Sequence, residues 1–290
     1  MCRLLHPNLC RSVTNLGFAL YKRSGMGIKM ELTGKQKERY ARQLALDGMG
    51  EAGQKKLLQS KTLIIGAGGL GSPAALYLAA AGVGTIGLAD PDEVALSNLQ
   101  RQILYDTADV GLPKVAAAKE TLNCKNPDVT IHTYRTAVAK ENIAELIGIY
   151  DFIIDATDNF ETKFLINDAC VVAKKPFCHA GILRFQGQLM TYVPGKGPCY
   201  RCIFKNPPPK NSVPSGSQAG IIGAVAGVIG SLQAMEAIKY LAGTGKLLTG
   251  ELLVYDGLNQ EFRKIKLPES TKDCAVCGRG MSESSERENI

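Results

Sequence analysis

The feature that most constrains this chain is a glycine-rich stretch between a strand-like segment and a helix-like segment. Lys61–Ile65 is a short apolar run typical of a strand, and Pro73–Ala81 has helical composition. Gly66, Gly68 and Gly71 lie between them in the G-x-G-x-x-G spacing, which provides a tight turn, a close approach for a phosphate, and room for the helix to pack on the strand. The free N–H groups at the helix start would then face an anion. The stretch therefore predicts a nucleotide-binding α/β domain.

An acidic residue at the end of the next strand strengthens this prediction. Thr85–Ala89 is strand-like and is followed by Asp90. The glycine pattern alone is a weak signal, since a glycine-rich turn that binds nothing has the same spacing, but strand, helix and acid in register make it specific. A Walker-type phosphate loop is excluded because Ser72 and Pro73 stand where that loop has lysine and serine or threonine.

Downstream, helical and strand-like segments alternate as far as Pro176. This alternation predicts a doubly wound parallel sheet. The predicted segments are helices over Lys114–Leu122, Glu141–Ile147 and Phe160–Ala173, strands over Val129–Tyr134 and Tyr150–Ala156, and a short polar turn over Leu96–Gln102.

After Pro176 the spacing shortens, which favours antiparallel pairing. Phe204–Ala219 is rich in Pro, Asn, Ser and Gly and is long enough to be a functional crossing loop. The predicted elements are strands over Phe177–Gly181 and Gln188–Val193, a helix over Ala224–Leu241, and a hairpin of Glu251–Asp256 and Glu261–Leu267. The fold class is therefore α/β: a doubly wound, Rossmann-like, mainly parallel sheet with a C-terminal antiparallel part and an N-terminal helical lead-in over Thr33–Leu58.

Charge and hydropathy exclude several classes of protein. The net charge is +7, but residues 1–30 hold five cations and no acid, which leaves only +2 (7 minus 5) for the remainder and no nucleic-acid footprint. The longest apolar stretch, Ala219–Leu232, is shorter than the roughly 20 residues that span a bilayer. Nine cysteines in 290 residues do not make a disulfide scaffold. We expect a soluble cytoplasmic protein with no membrane partner.

The chain divides into one domain and two short flanking segments. Residues 1–30 show no reliable helix or strand period, and we expect a disordered or artefactual extension, with an Arg-rich transit peptide as the alternative. Residues 31–278 would form a single domain. Residues 279–290 are mostly polar, and we expect a disordered tail.

Two C-x-x-C knuckles predict a metal site. Cys199 and Cys202 form the first, and Cys274 and Cys277 form the second. Four thiolates close a tetrahedral Zn²⁺ site with no open position, so the metal would be structural and would fasten the C-terminal segment. A redox pair is the alternative, but neither knuckle is expected to open a helix after a strand, as thioredoxin-like motifs do.

Three charged residues follow predicted strands and therefore belong to one edge of the sheet. Taken alone, Arg101 and Lys114 would be solvated surface charges, but loops after parallel strands meet where a nucleotide lies. Asp158 ends the Tyr150–Ala156 segment at the same edge, where a carboxylate could hold Mg²⁺. The alternative for Asp158 is a simple helix cap.

Cysteine and histidine give no persuasive nucleophile–base pair. Cys178 and His179 are neighbours on a predicted strand, so their side chains would point to opposite faces. A core cysteine beside a hydrogen-bonded histidine is the prediction. Cys124 and Cys170 lie in helical stretches and are expected to be buried or half-buried.

The order of these motifs closely resembles the MoeB/ThiF family, whose members adenylate the C-terminal glycine of ubiquitin-like sulfur-carrier proteins. The resemblance extends over about residues 31–278. The motifs that carry it, besides the two knuckles, are Tyr40–Gln43, Gly66–Gly71, Asp90 with Asp92, Ser97–Gln102, Gly111 with Lys114, and Thr157–Asn159.

The resemblance implies a role for each matching residue. Asp90 would hold the ribose, Asn98 and Arg101 the phosphates, and Lys114 the α-phosphate. Asp158 would bind Mg²⁺, and Arg42 would reach the phosphates from the partner subunit of a homodimer. The implied ATP site as a whole comprises Gly66, Gly68, Gly69, Gly71, Asp90, Asp92, Asn98, Arg101, Gln102 and Lys114. The implied cofactors are ATP, Mg²⁺ and structural Zn²⁺.

The resemblance also implies partners. These are a ubiquitin-like sulfur carrier ending in Gly-Gly and a separate sulfur donor, either a cysteine desulfurase or a rhodanese-like protein, since no rhodanese-like extension follows the knuckles. Many relatives have a cysteine in the crossing loop, where this chain has Gly216. Covalent capture of the carrier by that loop is therefore not expected.

Two other functions fit part of the sequence. A nicotinamide-dependent oxidoreductase would use the same glycine loop and Asp90, but it leaves Arg101, Lys114 and Asp158 without a role. A non-catalytic module that only binds the carrier would not need those three residues. The expected setting is molybdopterin, thiamine or related thio-cofactor synthesis.

Overall fold

The computed structural model describes residues 31–209, 212, 216–269 and 273–278, which contain one eight-stranded sheet with helices on both faces. The extension expected over 1–30 and the tail expected over 279–290 lie outside the described residues. None of the described helices is both long and apolar enough to cross a membrane.

The N-terminal lead-in is helical as predicted but is divided into three helices. These are α1 (Gly34–Arg39), α2 (Ala41–Leu44) and α3 (Gly50–Gln59). Thr33 starts α1 with a capping box, because its hydroxyl accepts from the Gln36 amide. The break between α1 and α2 falls at Tyr40, whose backbone leaves helical geometry (φ −99°, ψ 12°). Gly48, in a left-handed conformation (φ +78°), contributes to the break between α2 and α3.

The alternating part of the sequence forms the predicted elements, with ends that shift by a few residues. In chain order they are β1 (Lys61–Ile65), α4 (Gly71–Ala81), β2 (Thr85–Ala89), α5 (Lys114–Lys125), β3 (Thr130–Tyr134), α6 (Ile143–Gly148), β4 (Phe152–Asp155) and α7 (Phe160–Val172). The turn predicted over Leu96–Gln102 begins with a 3-10 helix, Leu96–Asn98.

The C-terminal part has the predicted antiparallel strands and long helix. In chain order its elements are β5 (Phe177–Leu183), β6 (Gln186–Tyr192), α8 (Tyr200–Ile203), α9 (Gly216–Ala219), α10 (Gly223–Ala242), β7 (Glu251–Asp256) and β8 (Glu261–Lys266). Of the predicted crossing loop, residues 210, 211 and 213–215 lie outside the described residues, and α9 occupies its end.

The sheet order is β3-β2-β1-β4-β5-β6-β7-β8. Strands β1 to β5 are parallel, and β6, β7 and β8 add antiparallel pairs at one side. The chain moves outward from β1 to β3 and then resumes on the other side of β1 with β4. Ile65 at the end of β1 therefore pairs with Asp155 at the end of β4. The reversal opens a crevice at this edge, where open α/β sheets bind ligands.

Two apolar cores cover the two faces of the sheet. One lies under α3, α4, α5 and α10 and includes Leu57, Leu78 and Ile229. The other lies under α6, α7 and α8 and includes Ile147, Phe164 and Tyr200. Burial on both faces explains why β1 and β4 are almost continuous apolar runs.

Tyr40 and Gln43 fasten the lead-in to the C-terminal end of α4. Tyr40 is 1% exposed, and its hydroxyl accepts from Asn126 Nδ2 at 2.9 Å. Gln43 Nε2 donates to the Ala81 carbonyl at 3.1 Å and to Gln54 Oε1 at 2.6 Å. Because Ala81 ends α4, the lead-in is held at the end of that helix farthest from the glycine loop.

Candidate nucleotide site and cysteine cluster

The glycine loop turns sharply against the segment that follows β4. Gly66 has φ +96°, and a side chain there would place its Cβ 2.7 Å from the Ala156 carbonyl oxygen. A Cβ on Gly71 would come within 1.9 Å of the Gly66 carbonyl oxygen, so α4 can start only with a glycine at this position. A Cβ built on Gly68 would meet Gln102 Nε2 first, at 3.6 Å. This spacing leaves the outer side of the loop accessible to a ligand.

Asp90 braces the loop from the end of β2. Its carboxylate accepts from the Ala67 amide at 2.7 Å and from the Asp92 amide at 2.9 Å. The side chain is buried, and this burial raises the pKa of Asp90 above its usual range, although the nearby Lys114 ammonium and the two amides oppose the effect. Asp90 therefore holds the shape of the glycine loop from the end of β2.

Lys114 is not a solvated surface charge. It starts α5, is 6% exposed, and places its ammonium 2.8 Å from Asp92 Oδ2 and 3.8 Å from Asp90 Oδ1. Asp92 is itself well exposed, with 63% of its side chain accessible. The ammonium is thus held by two carboxylates, the exposed Asp92 and the buried Asp90 that braces the glycine loop.

The Leu96–Gln102 turn contributes three polar side chains. Asn98 Oδ1 accepts from the Ala95 amide at 3.1 Å, and Arg101 is half-buried with Nη1 donating to the Ser97 carbonyl at 3.0 Å. The methylene stem of Arg101 lies against Gly69. Gln102 is 4% exposed, and its Oε1 is buried without a hydrogen-bond partner in the described structure.

Asp158 stands at the same edge, directly after the Ala156–Thr157 peptide that touches Gly66. Its side chain is exposed. The helix-cap alternative does not hold, because Asn159 is the N-cap of α7 and accepts from the Thr162 amide at 2.9 Å. The structure therefore places Asp90, with Lys114 beside it, on one side of the glycine loop and the segment that leads to Asp158 on the other.

A buried charge cluster behind Asp158 was not predicted. Asp155, the last residue of β4, is fully buried, with Lys163 Nζ at 3.2 Å and His179 Nδ1 at 2.8 Å from its Oδ2. Burial would raise the pKa of Asp155, but Lys163 and His179 outweigh it and hold the pKa well below the usual range. Burial lowers the pKa of His179. The available signal was an aspartate ending an apolar strand, with a lysine in the first turns of the following helix.

The predictions for the other cysteines are mixed. Cys178 is buried in the core under α10, whereas His179 faces Tyr200 on the opposite side of the sheet, which confirms the core assignment. Cys170 is buried as expected, and burial raises the pKa of both thiols. The prediction for Cys124 was wrong: it is exposed, because it lies on the solvent side of the last turn of α5.

Arg42 is not brought to the crevice of its own chain. It lies on α2 between the anchors Tyr40 and Gln43, which contact the C-terminal end of α4. Helix α4 has 11 residues, so its two ends are about 16 Å apart. Arg42 is exposed, and among the described residues it forms no ion pair with Glu38.

The four knuckle cysteines converge as the sequence predicts. Their sulfur atoms all lie within 4.8 Å of one another, with separations of 3.8 Å for Cys199–Cys202, 3.7 Å for Cys199–Cys274 and 3.4 Å for Cys202–Cys277. A tetrahedron with metal–sulfur bonds of about 2.3 Å has edges of about 3.8 Å. The four thiols are free, and the donor set is compatible with zinc.

The first knuckle is firmly docked on α7. Cys199 is the N-cap of the one-turn helix α8, so this knuckle does open a helix, contrary to the prediction. The Arg201 guanidinium binds both oxygens of Asp168, at 2.6 and 2.7 Å, and the Tyr200 amide donates to Asn167 Oδ1 at 2.8 Å. The short helix exists because these contacts hold it, and it turns two sulfurs toward the second knuckle.

Fold and site together define a doubly wound α/β protein with a glycine-rich loop after its first strand and a four-cysteine cluster. Comparison with known proteins gives the family: residues 40–276 match the ThiF family, and the chain belongs to it. The sheet order, the crevice at the β1–β4 reversal and the lead-in are therefore features of a ThiF-family domain.

Several similar proteins give the family context. The chain is 47% identical over 239 residues to "Adenylyltransferase and sulfurtransferase MOCS3" of Aedes aegypti, covering 82% of this chain and 55% of that protein. It is 44% identical over 266 residues to "Sulfur carrier protein adenylyltransferase" of Thermus thermophilus, covering 90% and 97%. The chain thus spans about half the length of the MOCS3 relatives it matches. The crystal structure of E. coli MccB with AMPCPP and selenomethionine MccA superposes with a TM-score of 0.74 at 25% identity, covering 83% of this chain and 74% of that one.

Two glycine substitutions should separate the contribution of the loop to stability from its contribution to nucleotide binding. Gly71→Ala should destabilise the protein by about 1–3 kcal/mol or more, because its Cβ would collide with the Gly66 backbone. Gly68→Ala should leave stability within about 1 kcal/mol of the original, because its Cβ would make only an ordinary van der Waals contact with Gln102 Nε2 at 3.6 Å, but should weaken nucleotide binding. Chemical denaturation and calorimetric titration with ATP measure the two effects. Equal stability of the two variants would contradict the packing argument.

Proposed function

We propose that this protein adenylates the C-terminal glycine carboxylate of a ubiquitin-like sulfur-carrier protein, using ATP and Mg²⁺ and releasing pyrophosphate. The observation that carries the proposal is the convergence of the glycine loop, Lys114 and Asp158 at one crevice. The printed names of the relatives, adenylyltransferases and in one case a sulfur-carrier adenylyltransferase, support the reaction class.

In this proposal the nucleotide lies across the glycine loop. The N-terminal amides of α4 face its phosphates, and Asp90 accepts from the ribose hydroxyls. Gln102 is the residue that a Cβ at Gly68 would meet first, through its Nε2. Its buried Oε1 has no partner among the described residues and needs a hydrogen-bond donor, which a hydroxyl or amine of the nucleotide would supply. Asn98 and Arg101 would contact the phosphates from the turn that packs on Gly69.

The chemistry joins two anions. A carboxylate oxygen of the carrier attacks the α-phosphorus, the bond between the α- and β-phosphates breaks, and pyrophosphate leaves with the electron pair. The attacking carboxylate needs no general base, which agrees with the burial of Cys178 and His179 away from solvent. Cations must offset both the repulsion and the charge of the transition state.

Lys114 is the cation best placed for this task within the chain. Its ammonium already lies beside the loop, held by Asp92 and Asp90. When the α-phosphate enters, we expect the ammonium to exchange the exposed Asp92 carboxylate for phosphate oxygens. Asp92 thus keeps Lys114 in place until the nucleotide binds.

Asp158 would hold the divalent cation. Its exposed carboxylate at the end of β4 offers the oxygen ligands that Mg²⁺ prefers. The ion, when bound, supplies positive charge that screens the phosphates during attack. Asp158 is an exposed carboxylate that directly follows the Ala156–Thr157 peptide, which contacts Gly66. No other described residue at this edge has both properties.

A homodimer would complete the site with Arg42. In its own chain Arg42 lies near the wrong end of α4, about 16 Å along the helix from the glycine loop. An apolar groove between α4 and α10, beside the loop, exposes Tyr77, Ile103 and Met235. A second copy covering this groove would bury those side chains and could bring its own Arg42 to the phosphates.

The remaining partners follow from the proposed product. The acyl-adenylate needs a sulfur nucleophile, and we propose that a separate cysteine desulfurase or rhodanese-like protein supplies it. No cysteine stands at Gly216, and Cys170 and Cys178 are buried, so a covalent carrier adduct through these positions is not part of the proposal. The setting would be cytoplasmic, in molybdopterin, thiamine or related thio-cofactor synthesis.

The four-cysteine cluster would hold a structural Zn²⁺. The sulfur separations fit a tetrahedral metal, and four protein ligands leave no position for a substrate. The site joins the knuckle after β6 to the segment after β8, so it would stabilise the fold around α7 and α8.

Carrier-dependent exchange of pyrophosphate into ATP tests the reaction. Lys114→Met should reduce the exchange rate by about 10²–10³, because one preorganised cation is lost. Lys119→Met is the matched control, since Lys119 is exposed on the same helix. Absence of exchange with every Gly-Gly carrier tested, combined with nicotinamide reduction, would favour the oxidoreductase instead. Nucleotide-independent carrier binding without exchange would favour the binding module.

Mixing variants tests the shared site. Arg42→Ala and Asp158→Ala should each be nearly inactive. After subunit exchange at equal amounts, half of the dimers are mixed and each has one intact site, so about a quarter of the original activity should return. If Arg42 acts within its own chain, every site in a mixed dimer has a defect and nothing returns. A fluorescence signal for exchange must accompany the assay.

Zinc analysis tests the cluster. Freshly purified protein should contain about one zinc per chain, and Cys277→Ser should lower both zinc content and the unfolding temperature. Cys124→Ser, at an exposed cysteine outside the cluster, should change neither. Substoichiometric zinc in the unsubstituted protein, or disulfides among the four cysteines, would overturn the assignment.

A further inference from the structure

The segment that carries Asp158 is fixed at both ends by one buried carboxylate. Asp155 Oδ1 accepts from the Thr157 amide at 3.1 Å and from the Thr157 hydroxyl at 2.6 Å. Such a turn, in which an aspartate side chain binds the backbone two residues on, sets the direction in which the chain leaves the strand. The carboxylate thus determines the orientation of the peptide immediately before Asp158.

The other oxygen of the same carboxylate ties down the far end of the segment. Lys163 Nζ lies 3.2 Å from Asp155 Oδ2 and donates to the Ala180 carbonyl at 2.7 Å. Lys163 belongs to the first turns of α7, which starts at Phe160 after the Asn159 cap. The three residues between Asp155 and Asn159 therefore span a fixed gap between the strand end and the helix start.

Two more side chains, those of His179 and Gln233, hold Asp155 in the protein interior. His179 donates from Nδ1 to Asp155 Oδ2 at 2.8 Å, and its ring packs on Tyr200 with centroids 4.3 Å apart. Gln233 on α10 donates to the Asp155 carbonyl at 2.8 Å. Asp155, Lys163 and His179 are each at most 6% exposed. Side chains locked in this way hold a site more rigidly than a surface loop does.

The fixed segment also touches the glycine loop. The Ala156 carbonyl and the Thr157 amide are the atoms that a Cβ at Gly66 would meet first, at 2.7 and 3.3 Å. A change in the turn at Thr157 would therefore move Asp158 relative to the phosphate loop. Asp155 is fully buried, so it acts on Asp158 through the segment that it holds, directly at Thr157 and through Lys163 at the start of α7.

We infer that Asp155 is a positioning residue for Asp158: through its hydrogen bonds to Thr157 it sets the direction of the Asp158 carboxylate toward a divalent cation held with the nucleotide. The inference rests on the proposed function, since it assumes that Asp158 receives the cation of a metal–nucleotide complex. It assigns a function to a buried charge cluster that contacts no substrate.

Thr157 variants test the link without removing the buried ion pair. Thr157→Val keeps the shape of the side chain and deletes the hydroxyl that Asp155 accepts from. Its affinity for MgATP should fall about tenfold, because a hydrogen bond to a charged group is lost. Its affinity for ATP in EDTA should not change, and Thr157→Ser should restore MgATP binding. Isothermal titration of the full chain measures each of these affinities against that of the unsubstituted protein.

Thr162→Val is the matched control. It makes the same chemical change five positions further on, at a threonine whose backbone amide, and not its hydroxyl, forms the α7 cap. It should leave both affinities and the unfolding temperature as they are. Unchanged MgATP affinity in Thr157→Val would overturn the inference, and so would an equal loss for ATP with and without Mg²⁺.

Asp155→Asn tests the positioning residue directly. It should weaken MgATP binding at least as much as Thr157→Val, and the double variant should be no weaker than Asp155→Asn alone, because both changes break one link. Additive losses would overturn the inference. The Thr157 series keeps the Asp155–Lys163 pair intact, so it decides the question even if Asp155→Asn fails to fold.

These outcomes can be separated from failure of the proposed function. If the unsubstituted protein binds ATP equally well with and without Mg²⁺, then Asp158 does not receive a cation and the proposed role of Asp158 fails first. If the unsubstituted protein prefers MgATP and Thr157→Val keeps that preference, the proposed function stands and only the positioning role of Asp155 is lost.

Discussion

The pairing of β1 with β4 is the constraint on which the rest of the site depends. Because the two strands are parallel neighbours, the loops that follow them leave the sheet side by side. Gly66 can then lie against Ala156 without a side chain between them. Had β4 been added beside β3 instead, the glycine loop and Asp158 would stand at distant points of the same edge. The reversal of strand order thus brings two sequence-distant motifs into one crevice.

Placing carboxylates at the buried ends of strands costs free energy that must be offset locally. The structure does this differently at its two acidic strand ends. At Asp155 a lysine, a histidine and a threonine satisfy the carboxylate, so it stays ionised and fully enclosed. Asp90 has only two amides and a more distant lysine, and its pKa is raised. The fully satisfied Asp155 therefore suits a structural role, whereas Asp90 can still accept a hydrogen bond from a ligand.

Much of the fold followed from local pattern, since apolar strands, glycine turns and helical spacing are written in short stretches of sequence. The same holds for the glycine loop, Asp90 and the knuckles, whose spacing has a direct geometric meaning. What the sequence could not show is partnership between distant residues. Lys163 and His179 look like an ordinary surface lysine and a core histidine until the fold brings both to Asp155. The pairing of β5 with β4 places His179 there, and the first turns of α7 place Lys163 there. Likewise Lys114 reads as a solvated charge until α5 places it beside Asp92.

The same logic explains why the lead-in looks disconnected from the crevice within one chain. Tyr40 fills the space over Gly82, and Gln43 binds the Ala81 carbonyl, so α2 is committed to the end of α4 opposite the glycine loop. Because α2 is held at that end of α4, Arg42 is exposed and far from the glycine loop. In its own chain it would therefore contribute little to phosphate binding. In the proposed homodimer, Arg42 would serve the glycine loop of the partner subunit. The apolar groove beside the loop is a surface that the partner subunit would bury. In the proposed homodimer, the contacts of Tyr40 and Gln43 would hold the helix that presents Arg42 to the partner subunit.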